Sequence, residues 1–320
     1  MIASLAIGLA LATAAPGQDA PASQQVEPPA AVSLEDVVVT GHSLETLVRD
    51  FVAEVGQPAA RRGLARWSRG VCVGAVNFRP ETAQFLVDRV SDTARELEVP
   101  AGEPGCKPNV LVIGAVDGAA LASALVADRP REFDLRHNGT DAGSRAFRAF
   151  RTEQRPVRWW QISFPIDSDT GRRAVRLPGD ISENGGIAVP IISVFSASRL
   201  TTQIRDDLVR VVVIVDVDQL RGASAVQLAD YVAFISLAQV DPDADTSGYE
   251  TILNLFENVD GAPDGLTGWD RSYLQALYRQ EPRRINPNSQ VDAVVADITR
   301  DRRAAATAEA EEVGEAGEAE

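Results

Sequence analysis

Asp241, Asp243 and Asp245 stand two residues apart ahead of Gly248. That is the one-three-five carboxylate spacing with which a loop surrounds a calcium ion. Thr246 occupies the sixth position, where such a loop needs glycine, and Ile252 the twelfth, where it needs a bidentate glutamate. Carboxylates so spaced also cap helices and solubilise turns, so both roles stay open. His42 and His137 are the only histidines. His137, with Asp134 and Asp141 close by, is the best candidate general base, but no Gly-x-Ser-x-Gly nucleophile motif accompanies it. An exposed loop histidine is the plainer reading. The sequence has no Walker A loop and no Gly-x-Gly-x-x-Gly, so nothing supports a nucleotide site. The expectation is of no cofactor and no bound metal.

The two cysteines, Cys72 and Cys106, form an even pair. Val71–Phe78 and Asn109–Gly114 read as strands, and Pro80–Leu97 between them carries apolar residues at 83, 86, 87, 90, 94 and 97, the period of an amphipathic helix. Pro80 suits the first helical turn. This β-α-β unit places one cysteine at the edge of each strand, and a disulfide there would stabilise the fold by roughly 3–4 kcal/mol. A redox role is disfavoured without Cys-x-x-Cys, and a zinc role without further cysteines or a nearby histidine.

Other elements follow from pattern. Leu44–Val55 has helical spacing, with Gly56 as its C-cap. The first strand falls within Trp67–Phe78, and Asp117–Ala127 reads as a helix. Asp134–Ser144 reads as a polar loop, and residues 157–165 as a strong strand. Trp159 and Trp160 must face opposite sides of that strand, one in the core and the other covering an edge or flooring a groove. Ile187–Phe195 is a further strand, which Pro190 assigns to an edge or bulge. Leu208–Asp218 is β-branched and long enough for a buried strand. The fold class expected is α/β (α+β), a mixed sheet with packed helices. A single folded domain spans 44–282, and a terminal helix and disordered acidic tail occupy 283–320.

After the strand at 208–218 and a turn at Gln219–Ser224 comes Gln227–Asp241, QLADYVAFISLAQVD. In this position it resembles the active-site helix of a metzincin, His-Glu-x-x-His-x-x-Gly-x-x-His/Asp, stripped of its ligands. Tyr231 takes the first His, Val232 the Glu, Ile235 the second His and Ala238 the Gly. Asp241 alone keeps a ligand-competent type. Gly265–Tyr278, with Thr267 as N-cap and Asp270 three residues on, resembles a late matrixin helix. Over 190–280 the resemblance implies a degenerate zincin-like domain: a protease scaffold without nitrogen ligands for zinc or a general base, that is, a pseudoenzyme. Val226, Leu228, Val232, Phe234 and Leu237 lie on nearly every face of this helix, so it should be internal, with Tyr231 and Ile235 buried.

Met1–Ala14 is apolar, too short to span a bilayer, and ends in Ala-Thr-Ala, the small-x-small pattern of signal-peptide cleavage. A disordered spacer at 15–43 follows. Within it, Glu35–Gly41 (EDVVVTG) resembles a TonB box, whose Val37, Val38 and Val39 would add a strand to a partner sheet; a linker remnant is the bland reading. The net charge of -15 is concentrated at the ends. Residues 1–48 hold five acids and no Lys or Arg, and residues 304–320 hold six Glu and no base, which leaves -4 for 49–303. No Arg/Lys cluster with interleaved aromatics points to nucleic acid. The sequence thus leads to an exported, soluble protein of the periplasm or beyond, without transmembrane segments once mature. It would bind a protein or peptide partner in the envelope without catalysis. A hydrolase with an unrecognised site and a structural envelope protein without ligand remain the alternatives.

Overall fold

The computed structural model describes residues 43–58, 62–133, 143–174, 203–220, 222–257, 259–280 and 287–318. His42, His137, Asp134, Asp141, the signal-peptide region, Val37–Val39 and Ile187–Phe195 lie outside the described residues.

The described chain runs α1 (Leu44–Val55), β1 (Val73–Val76), α2 (Pro80–Glu96), β2 (Val110–Ala115), α3 (Gly118–Asp128), α4 (Pro130–Phe133) and α5 (Gly143–Thr152). It continues through β3 (Val157–Asp167), β4 (Ile204–Asp216), α6 (Ala225–Leu237), α7 (Gly268–Arg279) and α8 (Pro287–Glu318). This is a mixed α/β fold. Its four-stranded sheet has the order β1-β2-β4-β3, with β1, β2 and β4 parallel and β3 antiparallel at the edge beside β4. A β-bulge between Ile162 and Ser163 interrupts the β3–β4 register.

Both faces of the sheet are covered, which is why its central strands are almost wholly apolar. Val211, Val213 and Val215 of β4 face a core built with α1, α2, α6, α7 and α8. Val212 and Ile214 face the opposite way, with Ala122 and Val126 of α3 and Phe150 of α5. The same alternation separates the two tryptophans of β3. Trp159 enters the first core and Trp160 the second.

The β1-α2-β2 unit forms as the pattern predicts, with Pro80 in the first helical turn. Cys72 and Cys106 are disulfide-bonded, with Cα atoms 6.1 Å apart. Gly56 is the C-cap of α1, as expected, with its N–H bonded to Val52 O; its backbone is extended (φ -79°, ψ 126°) and forms a β-bridge with Val240. Two expectations need correction. Ser144 belongs not to a polar loop but to α5, whose Phe147 and Phe150 pack against Trp160. The folded unit also does not stop at 282. α8 contributes Val294, Val295 and Ile298 to the core. Among the described residues, no helix is long and apolar enough to cross a membrane.

Candidate functional site

Helix α6 opens with a reciprocal capping box. Ser224 Oγ accepts from Gln227 N–H (3.1 Å), and Gln227 Oε1 accepts from Ser224 N–H (2.9 Å). From Gln227 to Leu237 every residue is buried. Val226, expected among the internal positions, is instead 44% exposed because it lies in the first turn, ahead of the buried stretch.

A buried helix still has to satisfy its last carbonyls. Here side chains from three separate elements do so. Gln161 of β3 donates its amide to the carbonyls of Ile235 and Ala238, at 2.6 Å each. Trp67 Nε1 donates to Ser236 O (2.8 Å) and the Tyr278 hydroxyl to Leu237 O (2.7 Å). Gln161 Oε1 also accepts from Val240 N–H (3.1 Å), and Trp159 Nε1 donates to Val240 O (3.1 Å). The end of α6 is thereby locked to strand β3.

Two buried carboxylates fix the surroundings. Asp230 of α6 takes both arms of the Arg89 guanidinium from α2 and the N–H of Leu266 (2.8 Å), joining three segments. Asp270 accepts from the N–H groups of Ile252 and Thr267 (2.9 Å each) and from the hydroxyls of Thr251 and Thr267. It thus ties the 3₁₀ turn Ile252–Phe256 to the start of α7 through the Thr267–Asp270 capping box. Burial pushes the Asp270 carboxyl above the usual range, against the opposing pull of those hydrogen bonds.

Between the start of β3, the segment after α6 and that 3₁₀ turn lies a cleft of about 410 Å³. Arg155, Val157 and Trp159 form one wall, Asp241 and Asp243 another, and Leu253, Phe256 and Glu257 a third, while Tyr231 contributes from α6. Tyr231 is only 6% exposed. Its ring packs edge-on against Trp159 (centroids 6.1 Å) and Phe256 (5.1 Å). Among the described residues its side chain makes no hydrogen bond, and it lines the cleft. Burial pushes the phenol's pKa up, against the opposing pull of the nearby Arg155.

Of the five positions singled out by the zinc-helix pattern, the fold brings Tyr231 and Asp241 to this cleft. Val232, Ile235 and Ala238 are fully buried and do not line it. Ile235 lies one turn beyond Tyr231, at the sealed end held by Gln161. No nitrogen or carboxylate ligand therefore stands at either position that the pattern assigns to histidine.

The calcium spacing is not realised as a shell. Asp241 accepts the N–H of Asp243 (2.9 Å), Asp243 pairs with Arg155, and Asp245 takes the N–H and hydroxyl of Ser247. Each carboxylate serves its own turn or neighbour. Among the described residues no group of three or more metal-ligating side chains converges.

Arg155, Phe256 and Glu257 were not singled out from the sequence, since they come from stretches with no shared motif. Arg155 spans one end of the cleft, bonded to Glu153, Asp243 and the carbonyl of Pro242. The outer edge of β3 completes the site. Pro156 O accepts from Asp216 N–H (2.8 Å), so alternation turns the backbone groups of Val157, Trp159 and Gln161 away from β4. Further along the same edge, Arg172–Ala174 folds back to pair with Pro165 and Asp167. Over 157–161 no backbone partner on that side is found among the described residues, and all five residues are buried. Comparison with protein-family models, curated proteins and solved structures finds no match to the chain.

Proposed function

We propose that the chain is a zincin-like scaffold without zinc chemistry, and that it binds an extended peptide segment of a protein partner in the cleft beside β3. The observation that carries this reading is the coincidence, at one cleft, of a stretch of β3 edge without a backbone partner among the described residues and the Tyr231 side chain, which lines that cleft and has no side-chain hydrogen bond among them. A strand added at a sheet edge gains affinity from main-chain hydrogen bonds and selectivity from pockets for alternate side chains. The chain offers both elements side by side. The order of elements agrees with the zinc-helix resemblance: strand β4, short turn, buried α6, then α7 behind a Thr-x-x-Asp capping box. Tyr231 and Ile235 supply no nitrogen for zinc, and Val232 cannot activate water, which argues for binding rather than hydrolysis.

An oxidising compartment fits the Cys72–Cys106 disulfide, which supports export to the envelope as the setting. The test exploits the geometry of β3. Val157→Pro removes an N–H that points away from β4, so the sheet should survive while strand addition is blocked. Binding of degenerate nonapeptide pools to immobilised protein should be lost in this variant and kept in wild type. Equal binding by both would reject the strand-edge mode.

A further inference from the structure

We infer that the cleft beside β3 receives a cationic side chain, the ammonium of a lysine or the guanidinium of an arginine carried by the bound segment. This rests on the peptide-binding reading above and names what that peptide must present.

Three aromatic rings from three different elements meet here. Trp159 comes from β3, Tyr231 from α6 and Phe256 from the 3₁₀ turn. Tyr231 stands at 70° to each of the other two, so the rings present differently oriented faces and edges to one small space. A ring face attracts a cation through its quadrupole, and several rings at steep mutual angles are how proteins hold ammonium groups.

Charge points the same way. The cleft is lined by one guanidinium, Arg155, and three carboxylates, Asp241, Asp243 and Glu257. Arg155 is engaged by Asp243 and by Glu153 outside the lining. That leaves Asp241 and Glu257, neither of which forms an ion pair among the described residues. Asp241 uses one oxygen on the N–H of Asp243 and keeps acceptor capacity. An anionic side chain would meet two uncompensated carboxylates. A plain apolar one would leave both of them, and the Tyr231 hydroxyl, without a partner at a cost in desolvation. A lysine or arginine satisfies all three, with its aliphatic stem against Val157 and Leu253.

The Tyr231 hydroxyl is a third observation. It belongs to a side chain that is 6% exposed, makes no side-chain hydrogen bond among the described residues and lines the cleft, where Arg155 and Glu257 are the charges that act on it. A phenol oxygen accepts readily from an ammonium or guanidinium N–H.

The experiment uses the full chain with its disulfide intact and degenerate nonapeptide pools. The pools differ only in one fixed central residue: lysine, arginine, norleucine, glutamine or glutamate. Retention on the lysine or arginine pool should exceed that on the other three by about tenfold, the scale of a desolvated cation–π contact. Asp241→Asn combined with Glu257→Gln should erase that preference, while this double variant unfolds like wild type in urea because neither carboxylate is buried in the core. Tyr231→Phe should weaken retention of the cationic pools while leaving the neutral pools unchanged. Equal retention of all five pools, or a preference that survives the double variant, overturns the inference while peptide binding stands. Retention of no pool overturns the peptide-binding reading, and the inference falls with it.

Discussion

Gln161→Leu should be among the most damaging single substitutions outside the hydrophobic core. The side chain is 7% exposed and makes three hydrogen bonds: two donated to the carbonyls of Ile235 and Ala238, and one accepted from Val240 N–H. Leucine fills a similar volume but satisfies none of them. Each orphaned buried group costs about 1–3 kcal/mol. Three together, with some backbone relaxation, give an expected loss of about 3–5 kcal/mol, a large share of a typical domain's stability. Gln161→Glu should do no better at neutral pH, since a carboxylate has no proton to offer two carbonyls. Urea unfolding followed by tryptophan fluorescence, with the disulfide kept oxidised, reads the change from midpoint and slope. A loss below about 1 kcal/mol would show that the end of α6 is satisfied some other way and would refute the argument that β3 anchors it.

Ile235→Ala should cost roughly 2–4 kcal/mol by opening a cavity in a fully buried position, again read by denaturant unfolding; a change below about 0.5 kcal/mol would place that helix face in the open. Replacing Cys72 and Cys106 together by alanine should cost about 3–4 kcal/mol, measured in the same way, since the bond closes a loop with a sequence separation of 34. Asp270 has a raised folded-state pKa, so its contribution to stability is fully present below the unfolded value and declines as pH rises through the folded one. Asp270→Asn should therefore flatten the pH dependence of unfolding above about pH 4, and an unchanged profile would contradict that. Elemental analysis of purified protein should find no stoichiometric zinc. One tightly bound zinc per chain, lost in Asp241→Ala, would overturn the non-catalytic reading.

Much of this fold was legible because local chemistry and global packing agree. The apolar period of Pro80–Glu96, the β-branched run of β4 and the Thr-x-x-Asp cap each specify one element. α5 was hidden because its arginines make the segment look solvated, although Ala146, Phe147, Ala149 and Phe150 carry a helical stripe. The cleft was legible only in part. Tyr231 and Asp241 stood out through the zinc-helix pattern, but Arg155, Phe256 and Glu257 become its walls through the placement of β3 and of the turn held by Asp270. Such convergence from distant segments leaves no spacing to read.

The most direct test of the central claim is residue-resolved amide hydrogen exchange, comparing the free chain with the chain saturated by a peptide recovered from the lysine or arginine pool. The N–H groups of Val157 and Trp159, turned away from β4, should gain protection on binding, while those of Arg158 and Trp160, already in the ladder, should not change. Protection that appears only away from β3 and the cleft, or an exchange pattern unaltered by bound peptide, would contradict the account.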